Sequence, residues 1–185
     1  MASDFTVFLS EMMRNPREVS AIAPSSAAVA RRMTEGVENV EGPIVEIGPG
    51  TGSFTRAILD RGVAPDRLIL MELNPRFCEE LRQKFPGVTV LNQPAQEIEK
   101  IGISGLGCVI SGVPVLARPQ IQREVVGRAF NVLAPDGVFV QITYSPNAPI
   151  PAEVQAQMGI TARKRATVWA NLPPARVFEF RRRSQ

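Results

Sequence analysis

Apolar residues recur along this chain with two different periods. Over residues 4–15 the spacing is helical: Phe5, Phe8, Leu9, Met12 and Met13 share one face, with Asp4, Thr6, Glu11 and Arg14 elsewhere. Asn15-Pro16 predicts the end of that helix. Ser25 or Ser26 then caps a second helix running to about Met33. After Gly42-Pro43 the pattern changes to short apolar runs separated by amphipathic stretches. Strands are expected over 43–47, 67–72, 88–91, 108–111 and 138–144, and helices over 53–61, 75–85 and 119–133. Gly62 closes the first of these helices. Asn74-Pro75 opens the second, and Ala134-Pro135-Asp136-Gly137 ends the third. The longest uncharged stretch, 101–117, contains Gly102, Gly105, Gly107, Gly112 and Pro114, so it predicts a loop and a buried strand, not a membrane span.

The last quarter differs. Residues 162–170 and 175–182 both read as strands, joined by Asn171-Leu172-Pro173-Pro174, which predicts an antiparallel hairpin. Strand-helix alternation followed by a hairpin predicts an α/β fold: a doubly wound, mostly parallel sheet with one reversed strand at the edge.

Composition narrows the chemistry. With 44% hydrophobic and 21% charged residues among 185, the chain is too apolar for disorder and long enough for one core. Histidine is absent, which excludes Ser-His-Asp hydrolysis, Cys-His nucleophiles and most catalytic zinc. Cys78 and Cys108 have no metal-ligand spacing, so neither a zinc site nor a disulfide scaffold is expected, and a reducing cytoplasm is. The net charge is only +3, yet residues 160–185 carry seven basic side chains against Glu179 alone. That imbalance predicts an anionic partner, a membrane surface or nucleic acid. The N-terminus lacks the basic start and apolar run of a signal peptide.

The most informative stretch is Val45-Glu46-Ile47-Gly48-Pro49-Gly50-Thr51-Gly52-Ser53, entered by a predicted strand and left by a predicted helix. A dinucleotide fingerprint wants glycine at its first, third and sixth positions. Here the sixth is Ser53, and the third glycine falls one place early, at Gly52. Glu46 sits two residues before the turn. A carboxylate gains nothing beside a pyrophosphate, but it accepts from an amino-acid ammonium, directly or through water. The order therefore favours S-adenosylmethionine (SAM) over NAD. Glu72 ends the second strand twenty residues after Gly52, where a carboxylate accepts both ribose hydroxyls. Leu73 is placed to pack on adenine, and Ala95, after the third strand, to meet the adenine edge with its N–H.

These residues resemble motifs I and II of the class I SAM-dependent methyltransferases, whose Rossmann-like sheet has seven strands. The closing hairpin is similar to the reversed seventh strand of that fold. Three further stretches resemble the bacterial phospholipid N-methyltransferases: Ala21-Ile22-Ala23-Pro24-Ser25-Ser26; Ser111-Gly112-Val113-Pro114-Val115-Leu116; and Gln141-Ile142-Thr143-Tyr144 with the hairpin from Trp169 to Val177.

The resemblance implies methylation of phosphatidylethanolamine and its methylated intermediates to phosphatidylcholine, with SAM as cofactor and S-adenosylhomocysteine as product. It implies a cytoplasmic enzyme held peripherally on the inner face of the cytoplasmic membrane by an anionic lipid surface, with no nucleic acid partner. Many relatives carry an acid–Ala pair after the third strand. Here the chain reads Gln93-Pro94-Ala95-Gln96-Glu97, which leaves adenine to the Ala95 backbone or Gln96.

Methyl transfer to an amine is an in-line displacement served mostly by alignment, so the lack of histidine is compatible with it. Ser111 and Gly112 are expected to border the amine, with Ser111 also at the cofactor. Tyr144 is expected to offer its ring to the methylated headgroup. Arg118, Arg163, Lys164 and Arg165 are candidates for the lipid phosphate. Trp169 is expected in the core. Residues 1–36 are expected as amphipathic helices that touch membrane and form a lid, with Ile22 and Ser25 over the cofactor, and 37–185 as the SAM-binding domain. The alternatives are an rRNA adenine dimethyltransferase-like enzyme or a non-catalytic SAM- or lipid-binding protein. The former is disfavoured because Ser111-Gly112-Val113-Pro114 lacks an aromatic to stack a flipped base.

Overall fold

Ser26 caps the first helix among the described residues: its hydroxyl accepts from the Val29 N–H at 3.3 Å, and α1 (Ala27–Met33) follows. The computed structural model describes residues 26–113, 119–171 and 174–183. The expected 4–15 helix, and the positions Ile22, Ser25 and Arg118, lie outside the described residues. Beyond α1 the order is β1 (Ile44–Ile47), α2 (Ser53–Leu59), β2 (Leu68–Met71), α3 (Pro75–Lys84), β3 (Thr89–Leu91) and β4 (Leu106–Ser111). Then come α4 (Pro119–Gln122), a π turn (Arg123–Gly127), α5 (Arg128–Val132), β5 (Leu133–Thr143), α6 (Ala152–Gln157), β6 (Ile160–Val168) and β7 (Ala175–Arg182).

The seven strands form one sheet in the order β3-β2-β1-β4-β5-β7-β6. The first five are mutually parallel, and β7 runs against both of its neighbours. All four residues of β1 and all four of β2 are buried, as strands covered on both faces require. One apolar layer, with Ile47, Val109, Phe139 and Phe180, covers one face; another, with Met33, Ile58, Leu70 and Val177, covers the other. The chain reverses its winding direction between β1 and β4, so the crevice for a ligand lies beyond their carboxyl ends.

The structure departs from the expectation in four places. β5 begins at Leu133, so residues 134–137, expected as the turn that ends the helix, belong to the strand, across a register shift in its pairing with β4. The reversed strand is not at the edge: β7 lies inside, and β6 is the edge strand. Burial explains this, because Ala175, Val177, Phe178, Glu179 and Phe180 of β7 are all buried, whereas β6 keeps Arg163 and Lys164 in solvent. A short helix, α6, and a 3-10 segment (Ala95–Ile101) were not expected. Trp169 is not in the core; it is 75% exposed. The last hairpin pair is Val168 with Ala175, so Trp169 stands one residue past the sheet, where no facing layer covers it. Among the described residues no helix is long and apolar enough to cross a membrane.

Candidate cofactor and methyl-transfer site

The glycine turn grows directly out of β1. Gly48 N–H donates to Met71 O at 2.9 Å, and Gly52 N–H closes the turn on Pro49 O at 2.8 Å. Two glycines serve opposite purposes. At Gly52 (φ +83°) an added Cβ would stand 2.4 Å from Phe85 Cε2, so the turn is packed against the end of α3. At Gly50 (φ +53°) a Cβ would meet nothing within 4 Å, so this side is open to a ligand. Lys84 Nζ donates to Thr51 O at 2.7 Å, and Pro49 is buried beneath the turn.

Glu46 is wholly buried. Its Oε2 accepts from the Thr55 hydroxyl at 2.6 Å, and its Oε1 has no partner among the described residues. Burial pushes its carboxyl up to about 8, against the opposing pull of the Thr55 hydrogen bonds. Folding thus raises the group from its ordinary 4.5 toward 8. The associated stability is complete below that window and falls as pH rises through it. Glu46→Gln is expected to flatten this decline in thermal melts taken from pH 5 to 8.5; an unchanged slope would assign the decline to other groups.

Glu72 is 7% exposed, and its two oxygens brace the turn. Oε2 accepts from Gly50 N–H at 3.1 Å, and Oε1 accepts from Asn74 N–H at 2.8 Å. Asn92 Nδ2 donates to Glu72 O at 3.0 Å and Leu73 O at 2.9 Å, which fixes the end of β2 against β3. A carboxylate has about four acceptor positions, so capacity remains for a ligand hydroxyl pair. After β3, Ala95 is buried, and the amide oxygens Gln93 Oε1 and Gln96 Oε1 are buried with no partner among the described residues. Amide oxygens of this kind can accept from an exocyclic amine. Arg128 Nη1 holds the Gln96 carbonyl at 2.8 Å.

At the β4 end, Ser111 is buried with its hydroxyl 3.5 Å from Val113 O, and Gly112 N–H donates to Ile47 O at 3.1 Å. Gln141 on β5 is buried; its Nε2 donates to Val113 O at 2.9 Å, and its Oε1 is unpartnered among the described residues. Tyr144 follows the end of β5 and is half-buried against the α1–α2 layer. Burial raises its phenol, so it stays protonated at neutral pH.

Glu46, Gly48, Pro49, Gly50, Thr51, Gly52, Glu72, Leu73, Ser111 and Gly112 therefore meet at neighbouring carboxyl ends, with Ala95 and Gln96 beyond β3. Arg163 and Lys164 do not join them. Arg163 Nε is spent on Glu179 Oε1 at 2.7 Å, and Arg165 pairs with the same carboxylate. Lys164 is level with Gln141 but two strands out, about 10 Å at normal strand spacing. Thr55, Asn92, Gln93 and Gln141 were not expected as site residues. Gln141 alone gave a signal, as an amide inside an apolar strand run.

The arrangement fits SAM. Glu46 Oε1 lacks a donor of the kind an ammonium supplies, Glu72 lies against the open turn, and Gln93 Oε1 and Gln96 Oε1 are unpartnered acceptors just after β3 among the described residues. No protein-family model matches the chain. The ornithine lipid N-methyltransferase of Singulisphaera acidiphila is 35% identical over 154 residues, covering 77% of this chain and 79% of that protein. A Burkholderia thailandensis 1,6-didemethyltoxoflavin-N1-methyltransferase, solved with S-adenosylhomocysteine, superposes with TM-score 0.68 at 17% identity, over 97% of this chain and 87% of its own. A TehB-like SAM-dependent methyltransferase from Corynebacterium glutamicum gives TM-score 0.64 at 14% identity, over 96% and 100%. The structural likenesses establish the fold, and the sequence relative establishes the kinship. On these grounds the chain belongs to the class I SAM-dependent methyltransferases, in the family of the ornithine lipid N-methyltransferase, and S-adenosylmethionine is its cofactor.

Proposed function

We propose that this chain methylates the amine of phosphatidylethanolamine and its methylated intermediates, leading to phosphatidylcholine. The observation that carries the reading is the identity of 35% to an ornithine lipid N-methyltransferase over most of the chain, because both lipids present an amine at a membrane surface. The bound cofactor supplies a sulfonium methyl whose leaving group is neutral and needs no acid.

The chain's own task is alignment, which supplies on the order of 7–11 kcal/mol when geometry is right. Glu46 accepts from the cofactor ammonium, whose positive charge favours the carboxylate form that burial alone disfavours, and Glu72 holds the ribose. Ser111 and Gly112 border the acceptor amine. Tyr144 cannot serve as base while its phenol stays protonated, so its part is an aromatic face for the methylated cation. With no histidine present, the amine loses its proton to water or to the lipid phosphate. Arg118 is the cation assigned to that phosphate; Lys164, two strands out from Gln141, serves only a phosphate at the rim of the site, and Arg163, tied to Glu179, ranks behind both. The lid and membrane contact expected of residues 1–36 fall to the stretch before α1, with Ile22 and Ser25 assigned to the cofactor, because α1 itself packs into the core through Val29 and Met33; the enzyme works peripherally on the inner face of the cytoplasmic membrane.

Labelled SAM supplied with vesicles of phosphatidylethanolamine, with vesicles of ornithine lipid, and with RNA tests this. Label is expected in phosphatidylethanolamine as its methylated forms. Label confined to ornithine lipid, or found in RNA, overturns the reading.

A further inference from the structure

Trp169 is the one tryptophan of the chain and the most exposed large apolar side chain among the described residues, at 75%. An indole in water leaves much of its apolar surface, ~150–250 Å² when fully covered, unburied. Its position is not arbitrary. β6 runs parallel to β5, with β7 between them, so Trp169 emerges at the sheet end where β5 delivers Tyr144. Glu46, Glu72 and Ser111 lie at that same end.

The hairpin presenting it is firmly based. Val168 and Ala175, its last pair, are buried. Arg176 Nη1 donates to Tyr144 O at 3.1 Å and Pro174 O at 3.4 Å, which ties the hairpin to the end of β5.

The cation nearest to it is Arg176, which pairs with Thr167 two residues before Trp169 and spends its hydrogen bonds on backbone carbonyls, which satisfy donors without cancelling charge. Lys164 stands in solvent on the same strand, whereas Arg163, Arg165 and Arg181 are paired with Glu179, and Arg182 lies at the far end of the hairpin. An aromatic with a polar N–H, carried on a cationic element, suits the headgroup level of an anionic bilayer.

We propose that Trp169 is an interfacial anchor: its indole enters the headgroup layer of an anionic lipid bilayer and sets the carboxyl-end mouth of the sheet against the membrane. This rests on the lipid-substrate reading above.

Because the chain has a single tryptophan, its fluorescence reports on this residue alone. The full chain is mixed with vesicles of phosphatidylethanolamine and phosphatidylglycerol, and separately with phosphatidylcholine vesicles. With the anionic vesicles the emission is expected to shift to shorter wavelength and to be quenched by brominated acyl chains; with the neutral ones it stays put. Trp169→Ala is expected to lower co-sedimentation with anionic vesicles about tenfold, the effect of losing ~60 Å² of apolar burial. Trp169→Phe should fall between the two. Trp169→Ala should leave SAM affinity and methylation of detergent-dispersed lipid unchanged.

An emission that does not move while the protein sediments with vesicles overturns the proposal. So does an indole already shielded from iodide before vesicles are added, which would mean that a second copy or another part of the chain covers it. Failure of the unaltered protein to methylate detergent-dispersed lipid instead overturns the substrate reading, and is told apart by the spectrum.

Discussion

Glu72→Ala is expected to weaken SAM binding by about a hundredfold or more. Each hydrogen bond to a charged group contributes about 1.5–3 kcal/mol, and every 1.4 kcal/mol is a factor of ten. The substitution removes the proposed acceptor of two ribose hydroxyls. It also strips Gly50 N–H and Asn74 N–H of their carboxylate partner, so the turn loses its brace. Glu72→Gln keeps the shape and one acceptor oxygen, and should lose about tenfold by the same reckoning. Titration calorimetry with SAM reads both. Affinity unchanged in Glu72→Ala would remove this residue from the ribose.

Gly52→Ala is expected to destabilise the fold by about 2–5 kcal/mol. A left-handed backbone costs an L-residue about 1–2 kcal/mol, and overpacking a core adds about 1–3. Both apply here, at φ +83°, because the new Cβ would lie 2.4 Å from Phe85 Cε2 and 2.9 Å from Phe85 Cζ. Phe85 is 2% exposed and has nowhere to retreat. Gly50→Ala is the control: it carries the same backbone sign (φ +53°), but its Cβ meets nothing. It should lose only about 1–2 kcal/mol of stability and show its main effect in SAM affinity. Denaturant unfolding of the pair checks this, and equal losses in the two variants would contradict the packing account.

Much of this architecture was legible because burial writes itself into the chain. The expected strand 43–47 is β1, shortened by one residue, and 67–72 is β2, shortened at both ends; continuous apolar runs are what doubly covered parallel strands need. α3 was legible from its cap, since Asn74 Oδ1 accepts from Arg76 N–H at 2.9 Å and Pro75 takes the first helical position. The glycine turn and its two acids were legible because their chemistry depends on local spacing.

What stayed hidden depended on distant partners. Nothing near Arg163 shows that Glu179, sixteen residues on, captures it. Thr55 reads as an ordinary helix residue until α2 folds back and puts its hydroxyl on Glu46. Trp169 continues an alternating strand pattern, but pattern does not reveal where the sheet stops. The slot taken by β7 depends on a competition between two hairpin strands for the edge of β5, which the more apolar strand wins.

That slot also dictates the timing of assembly during synthesis. β7 pairs with β5 on one side and β6 on the other, and Arg182 at its end grips the carbonyls of Leu133 and Ala134. Translation delivers β5 and β6 first, so a growing chain carries two open strand edges until residue 182 leaves the ribosome. Those edges are templates for mispairing with other nascent chains. The sheet therefore shuts in one late step, and a ribosome stalled just short of that point would release its most aggregation-prone product.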